Sequence, residues 1–167
     1  MLGYRYLEFK TKVGYILRST PMQLTRFTDY SLRVLMYLAL NGGRSNTIRQ
    51  IAGSYDISKN HLMKVVHHLV LRGYICSVRG RTGGLQLAMP ASEIILGEVV
   101  RQSEESFRLV ECFDIKRNTC CISRSCGLRR VLDEALLAFL SVLDQYTLAD
   151  LVSSDRPLRR ILGIGVP

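Results

Sequence analysis

The sequence has no run approaching the roughly 18 apolar residues of a membrane helix, so a helical span is not expected and no membrane partner is implied. It has no internal repeat and no low-complexity stretch. Acidic residues are scarce at the front: residues 1–90 hold 3 Asp+Glu against 13 Lys+Arg, while residues 91–167 hold 11 against 10. The net +9 therefore sits in the first part of the chain, which points to a polyanion, nucleic acid before a membrane surface. No Cys-x-x-Cys pair occurs, and all three histidines (His61, His67 and His68) crowd into one short segment. A thiol redox enzyme needs that pair, or a thiol beside a base. No enzyme is expected and no residue is assigned a catalytic role.

What is present begins with an ordinary globular composition, 47% hydrophobic and 22% charged over 167 residues. Such a chain buries roughly two-thirds of its unfolded surface and needs neither disulfide nor metal merely to fold. Residues 1–21 are basic and without a clean period, and are expected to be a disordered N-terminal extension. The opening MLGYRYLEFKTKVGYILRS interrupts its apolar residues with charges, unlike a secretory signal, which predicts a cytoplasmic protein with reduced thiols.

Residues 22–90 carry the sharpest pattern. A nearly all-round apolar helix including Tyr30, Val34 and Leu40 stops at Gly42-Gly43. Thr47-Ile-Arg-Gln50 is a capping box that opens a short helix over 48–53. Ser58 is expected to cap a longer one, with Leu62, Val65, Val66, Leu69 and Val70 on one stripe and Gly73 at its close. Asn60, Lys64 and His67 lie opposite that stripe, flanked by His61 and His68. YICSVRGRTGGLQLA follows as two strands around a basic tip holding Arg79 and Arg81. Two helices, the second capped, and then a basic hairpin predict a mainly α (α+β) winged helix-turn-helix with a two-stranded wing. Its expected contacts with double-stranded operator DNA are Ser58, Lys59, Asn60, His61 and Lys64 from the helix, with Arg79 and Arg81 from the wing.

Residues 91–152 are expected to hold a short helix capped by Ser92 and ending near Ser103, a loop over 104–123, and a long helix from about 127 to 145. Leu132, Leu136, Phe139, Leu143 and Tyr146 repeat along that last helix, broadened by Leu137 and Leu140, which makes it a candidate for homodimerisation. The basic tail, residues 153–167, is expected to be flexible. Four of the five cysteines (Cys112, Cys120, Cys121 and Cys126) fall within 15 residues. Thiolates are soft ligands, and an uneven group of three, Cys112, Cys120 and Cys126, suits an exposed iron–sulfur cluster with a fourth ligand from elsewhere. Zinc fingers prefer the paired spacing that is missing here. Cys76, on the first wing strand, reads as a small buried apolar side chain.

The stretches MQLTRFTDYSLRVLMYLAL, VRGRTGGLQL, ECFDIKRNTCCISRSCGLRRVL and DQYTLADLV span about four-fifths of the chain. Together they resemble the winged-helix iron–sulfur regulators that include the nitric-oxide sensor NsrR, the cluster-assembly regulator IscR and the iron regulator RirA. FTDYSLR and SKNHLMKVV look most like the NsrR subgroup, whereas SEESFRLVECFD and the cysteine spacing also look like RirA. The resemblance implies a long dimerisation helix with the cluster loop, carrying a 4Fe-4S or 2Fe-2S group, at its start. It also implies that the first-helix aspartate, here Asp29, ligates the cluster of the partner subunit, one turn ahead of the motif's arginine, Arg33. Without it, Asp29–Arg33 is a routine i, i+4 surface pair. The family usually has proline after the second cysteine; Cys121 stands there instead. The expectation is a repressor released from DNA by nitric oxide. The alternatives are an iron-status regulator of the same fold, a thiol redox enzyme and a zinc-stapled module.

Overall fold

The computed structural model describes residues 23–78, 80, 83–153 and 155–165. The expected N-terminal extension, residues 1–21, lies outside the described residues, as do Arg79 and Arg81. Helix α1 (Arg26–Leu40) starts at Thr25, whose hydroxyl accepts from Thr28 N. It ends at Asn41, where Gly42 and Gly43 take positive φ of 58° and 80° and turn the chain away. Val34, Leu35, Leu38 and Leu40 are buried, along with Thr28 and Ser31. Ser31 satisfies its hydroxyl by donating to Phe27 O at 2.8 Å. The all-round apolar pattern follows from the position of α1 at the centre of the molecule.

The capping box forms as expected, with Thr47 N donating to Gln50 Oε1 at 2.8 Å and Gln50 N to Thr47 Oγ1 at 3.2 Å. Helix α2 (Ile48–Tyr55) runs to Tyr55, beyond the expected end at Gly53, and closes at Asp56 in a left-handed conformation of φ 52°. Asp is among the few non-glycine residues that adopt this conformation readily. Helix α3 (Lys59–Leu71) follows. Ser58 occupies its cap position, but its side chain makes no capping hydrogen bond. The entry is set by apolar burial instead: Ile57, just before the cap, and Leu62, in the first turns, both lie in the core, the arrangement of a hydrophobic staple.

The wing pairs β1 (Ile75–Val78) with β2 (Gly84–Leu87), antiparallel, from Ile75 opposite Leu87 to Val78 opposite Gly84. Strand β2 is pinned near its start by Asn46, which is 3% exposed. Asn46 N donates to Leu85 O at 3.1 Å and Leu85 N to Asn46 O at 2.7 Å. The Asn46 side chain donates to Arg44 O at 2.6 Å and accepts from Asn41 Nδ2.

Beyond the wing a 3-10 turn (Ala91–Glu93) precedes α4 (Leu96–Ser103). The expected helix capped by Ser92 is therefore split. Ile94 is fully buried and Ile95 pairs with Thr147 in an isolated bridge, so both residues are drawn out as extended chain. A second 3-10 turn (Glu111–Phe113) leads to α5 (Gly127–Leu143), α6 (Leu148–Val152) and α7 (Asp155–Ile161). Arg101 grips Asp144 through both guanidinium nitrogens, at 2.6 and 2.5 Å, tying α4 to the end of α5. Helix α1 packs against α3, α4, α6 and β2. One core thus holds residues from both sides of position 90, including Leu35, Leu69, Ile94, Val99 and Leu148.

The expected flexible tail is corrected over its described part. Residues 155–161 form α7, and Leu162 and Ile164 reach the core at 7% and 5% exposure. Ser54 of α2 donates to Leu162 O at 2.8 Å. The three arginines dominate that stretch in sequence, but its apolar residues decide where it packs.

Two substitutions test these contacts. A Cβ at Gly84 would stand 2.7 Å from Asn46 O, so Gly84→Ala should cost about 1–3 kcal/mol and speed amide exchange at Leu85. Native exchange would place the wing's anchor elsewhere. Leu162→Ala should cost about 2–5 kcal/mol in chemical unfolding; wild-type stability would restore the loose tail.

Candidate nucleic-acid interface and cysteine loop

Helix α3 buries Leu62, Val65, Val66 and Leu69 and exposes Lys59, Asn60, His61, Lys64 and His67. The Ser58 hydroxyl, free of capping, lies exposed at its start. Every expected helix contact is thus solvent-facing, and the expected wing contacts Arg79 and Arg81 fall outside the described residues. Met63, an apolar residue left 43% exposed on this helix, was not anticipated. His68, expected at the flank of the face, turns inward. Its ring meets Phe27 of α1 edge-on at 5.2 Å. Burial lowers its pKa, Arg72 adds to that effect, and a hydrogen bond with the Gln102 main chain works the other way. Asn46, which seats the wing, was also missed, because a single Asn in a loop reads as nothing more than a turn residue.

The loop over residues 104–126 starts where α4 ends. Glu104 accepts from Thr25 N at 2.8 Å and from Thr25 Oγ1 at 3.1 Å, so the stem of the loop also seats the N-cap of α1. Cys112 is buried on the second 3-10 turn, Cys120 and Cys126 are half-buried, Cys121 is exposed, and all five cysteines are free. Polar ties between neighbours of the thiols hold the loop. Glu111, beside Cys112, accepts from Thr119 N and Oγ1 at 2.5 and 2.7 Å, and Thr119 is next to Cys120. Those bonds hold the Glu111 carboxyl below the usual carboxylate range. Asn118 donates to Ser123 Oγ at 2.9 Å and accepts from Cys120 N at 3.0 Å. Cys126 stands at the cap of α5, its side chain uncommitted, beside a cavity of about 650 Å3 lined by Arg124, Arg129 and Arg130.

This donor set suits an iron–sulfur cluster in its chemistry: three soft, unpaired thiols on one loop, with arginines beside Cys126 to offset thiolate charge. Among the described residues no three His, Cys, Asp or Glu side chains converge on a single metal ion. A polynuclear group distributes its thiolates over several irons and requires no such convergence. Cys76 lies half-buried on β1 with Sγ 3.8 Å from Leu87 O, in keeping with a packing role.

Asp29, in the first turn of α1, meets Arg33 at two points, Oδ2 to Nη2 at 2.8 Å and Oδ1 to Nε at 3.0 Å. The Arg33 guanidinium also lies 6.0 Å from the Tyr30 ring centre and 5.8 Å from that of Tyr55 on α2. Burial pushes the Tyr55 hydroxyl up to about 12, with Arg33 opposing. Asp29 and Arg33 are each more than two-fifths exposed, so the pair is worth no more than about 1 kcal/mol and is readily exchanged for a better partner.

A seated wing, an exposed basic helix and a thiol-bearing loop built onto the same core define a winged-helix transcriptional regulator that binds DNA. The family model Rrf2, described as an iron-dependent transcriptional regulator, matches residues 24–154. The chain is 54% identical over 142 residues to the HTH-type transcriptional regulator NsrR of Bacillus subtilis, covering 84% of this chain and 97% of that one. It is 50% identical to the NsrR of Bacillus licheniformis, with coverages of 84% and 99%. Among solved structures, a transcriptional regulator from Listeria innocua superposes with a TM-score of 0.66 at 27% identity, over 82% of this chain and 90% of that one. CymR, the global cysteine regulator of B. subtilis, gives 0.62 at 26%, over 80% and 98%. The IscR of T. potens shares the fold, at 0.65 and 24% identity, over 83% and 91%. The chain belongs to the Rrf2 family of transcriptional regulators.

Phosphate contacts carry a salt signature. Replacing Arg79 or Arg81 with Ala should weaken operator binding and flatten the slope of log K against log salt by about one unit for each phosphate left without its cation. Unchanged slopes in both variants would remove these side chains from the interface.

Proposed function

We propose that this regulator is a homodimeric cytoplasmic repressor that leaves its operator when nitric oxide reaches an iron–sulfur cluster, 4Fe-4S or 2Fe-2S, held by Cys112, Cys120 and Cys126 with the partner subunit's Asp29. The observation that carries the reading is the single loop of free thiols whose stem, through Glu104, seats the N-cap of α1. The identity with NsrR proteins supports nitric oxide as the signal. Such a cluster supplies iron, for which nitric oxide is a strong ligand.

The chain's own residues account for the response. Asp29 has two competing partners, Arg33 on its own helix and the thiol loop of the other subunit, and its bond to Arg33 is cheap to exchange. A carboxylate is a minority ligand beside thiolates, so Asp29 would be the most weakly held member of the set. Once free of the loop, Asp29 would pair with Arg33, which lies against the helix-turn-helix through Tyr55. Helix α5 supports the dimer. Leu128, Val131 and Val142 are each more than half exposed and fall within about one-sixth of a turn of one another on the helix, an apolar face that a second copy would cover. Two recognition helices then meet two half-sites, whose spacing tolerates little change.

A second reading, response to iron supply, is favoured by the description of the matching family as iron-dependent. An anaerobic mobility-shift titration separates the two. Release at stoichiometric nitric oxide with little response to a mild chelator supports nitric-oxide sensing, and binding that survives nitric oxide but collapses under the chelator assigns iron status. Serine at Cys112, Cys120 or Cys126 should abolish visible absorbance and iron content, whereas Cys76→Ser should keep both. Bleaching by Cys121→Ser but not by Cys120→Ser would shift the ligand set by one residue. A colourless protein holding zinc would contradict both readings.

A further inference from the structure

Three buried side-chain atoms lack a hydrogen-bond partner among the described residues: His68 Nε2, Gln102 Oε1 and Ser103 Oγ. All three residues line one cavity of about 430 Å3, where the recognition helix α3, the start of α1 and the end of α4 meet. Ser103 is 6% exposed. Native interiors leave few such atoms unpaired, so three around one cavity mark a place for partners from outside the chain, solvent or a bound small molecule. The space is an order of magnitude larger than the roughly 30 Å3 a water molecule occupies in the liquid, so one bridging water does not fill it.

The chemistry of the lining selects the partner. No hydrogen bond reaches His68 Nε2, and with the imidazole proton on Nδ1 this nitrogen offers a bare lone pair. Gln102 Oε1 accepts, and Ser103 Oγ can accept as well. A primary ammonium group offers three N–H donors to such a set. Among the described residues no three His, Cys, Asp or Glu side chains converge closely enough for a metal ion. Arg72 is the one cation among the described residues lining the cavity. One oxygen of Glu104, also at the cavity, is already engaged by Thr25 N and Oγ1. Glu105 lines the cavity too, but Arg72 makes no ion pair with either carboxylate among the described residues, which leaves it available to a carboxylate at the other end of the same small molecule.

We propose that this cavity is a second effector site, independent of the cysteine loop, which takes the ammonium group of a free α-amino acid on His68, Gln102 and Ser103 and its carboxylate on Arg72. Its position gives it a route to DNA binding. His68 and Arg72 belong to the recognition helix and its cap, and Gln102 and Ser103 end the helix from which the thiol loop departs. A ligand that touches both elements favours whichever arrangement it bridges best.

The test uses the full chain in thermal unfolding, with nitrogen NMR of the His68 imidazole. L-alanine is the first probe, the other common amino acids follow, and methylammonium and acetate serve as half-ligands. L-alanine should raise Tm and shift the His68 signal saturably, methylammonium should bind at least ten-fold more weakly, and acetate should not saturate. Ser103→Ala removes a buried hydroxyl that has no partner, so without any probe it should unfold at the wild-type Tm or above. It should bind L-alanine at least five-fold more weakly. Arg72→Gln should erase the preference for L-alanine over methylammonium. No saturable response to any amino acid, or an equal response in Ser103→Ala, overturns the proposal and leaves a solvent-filled cavity.

Discussion

The packing of four elements around α1 is the constraint from which the rest of the structure takes its position. Val34, Leu35, Leu38 and Leu40 are nearly closed to solvent, and α3, α4, α6 and β2 all pack against this one helix. The DNA-reading helix and the helix that launches the thiol loop therefore share a neighbour. Interiors packed to crystal density do not absorb displacements locally. A movement imposed at the start of α1 is passed to α3 as a movement of packed bodies.

The polar contacts at the N-terminal end of α1 are well suited to imposing such a movement. Thr25 is seated by Glu104 of the loop stem, and Asp29 is held by Arg33, which in turn lies against Tyr55 of the helix-turn-helix. Each exposed contact is worth no more than about 1 kcal/mol, against a total stability on the order of 5–15 kcal/mol. The core fixes the fold, while these contacts can be remade without endangering it. A few such exchanges across two subunits approach the several kcal/mol that separate largely bound from largely released populations.

Elements whose signal is local were legible in the sequence. The Thr47–Gln50 capping box, the stripe of α3 and the paired strands of the wing each announce themselves within a dozen residues. Contacts that depend on distant chain were not. The Ser58 hydroxyl has the right residue type for a cap, but burial of Ile57 and Leu62 sets that turn. His68 has the polar look of a surface position until Phe27 and Gln102, far away in sequence, close over it. In the tail, three arginines drown the signal of Leu162 and Ile164, which have a place only because α2 leaves room for them. The clustering of Cys112, Cys120 and Cys126 is plain in the sequence, yet the Glu111–Thr119 tie that frames it carries no periodic trace.

Hydrogen–deuterium exchange on the cluster-loaded protein, before and after stoichiometric nitric oxide, tests most directly whether the thiol loop and the recognition helix communicate through α1. The account predicts altered exchange in three separate places: residues 104–126, the first turns of α1, and α3. A change confined to residues 104–126, with α1 and α3 unaltered, would contradict it.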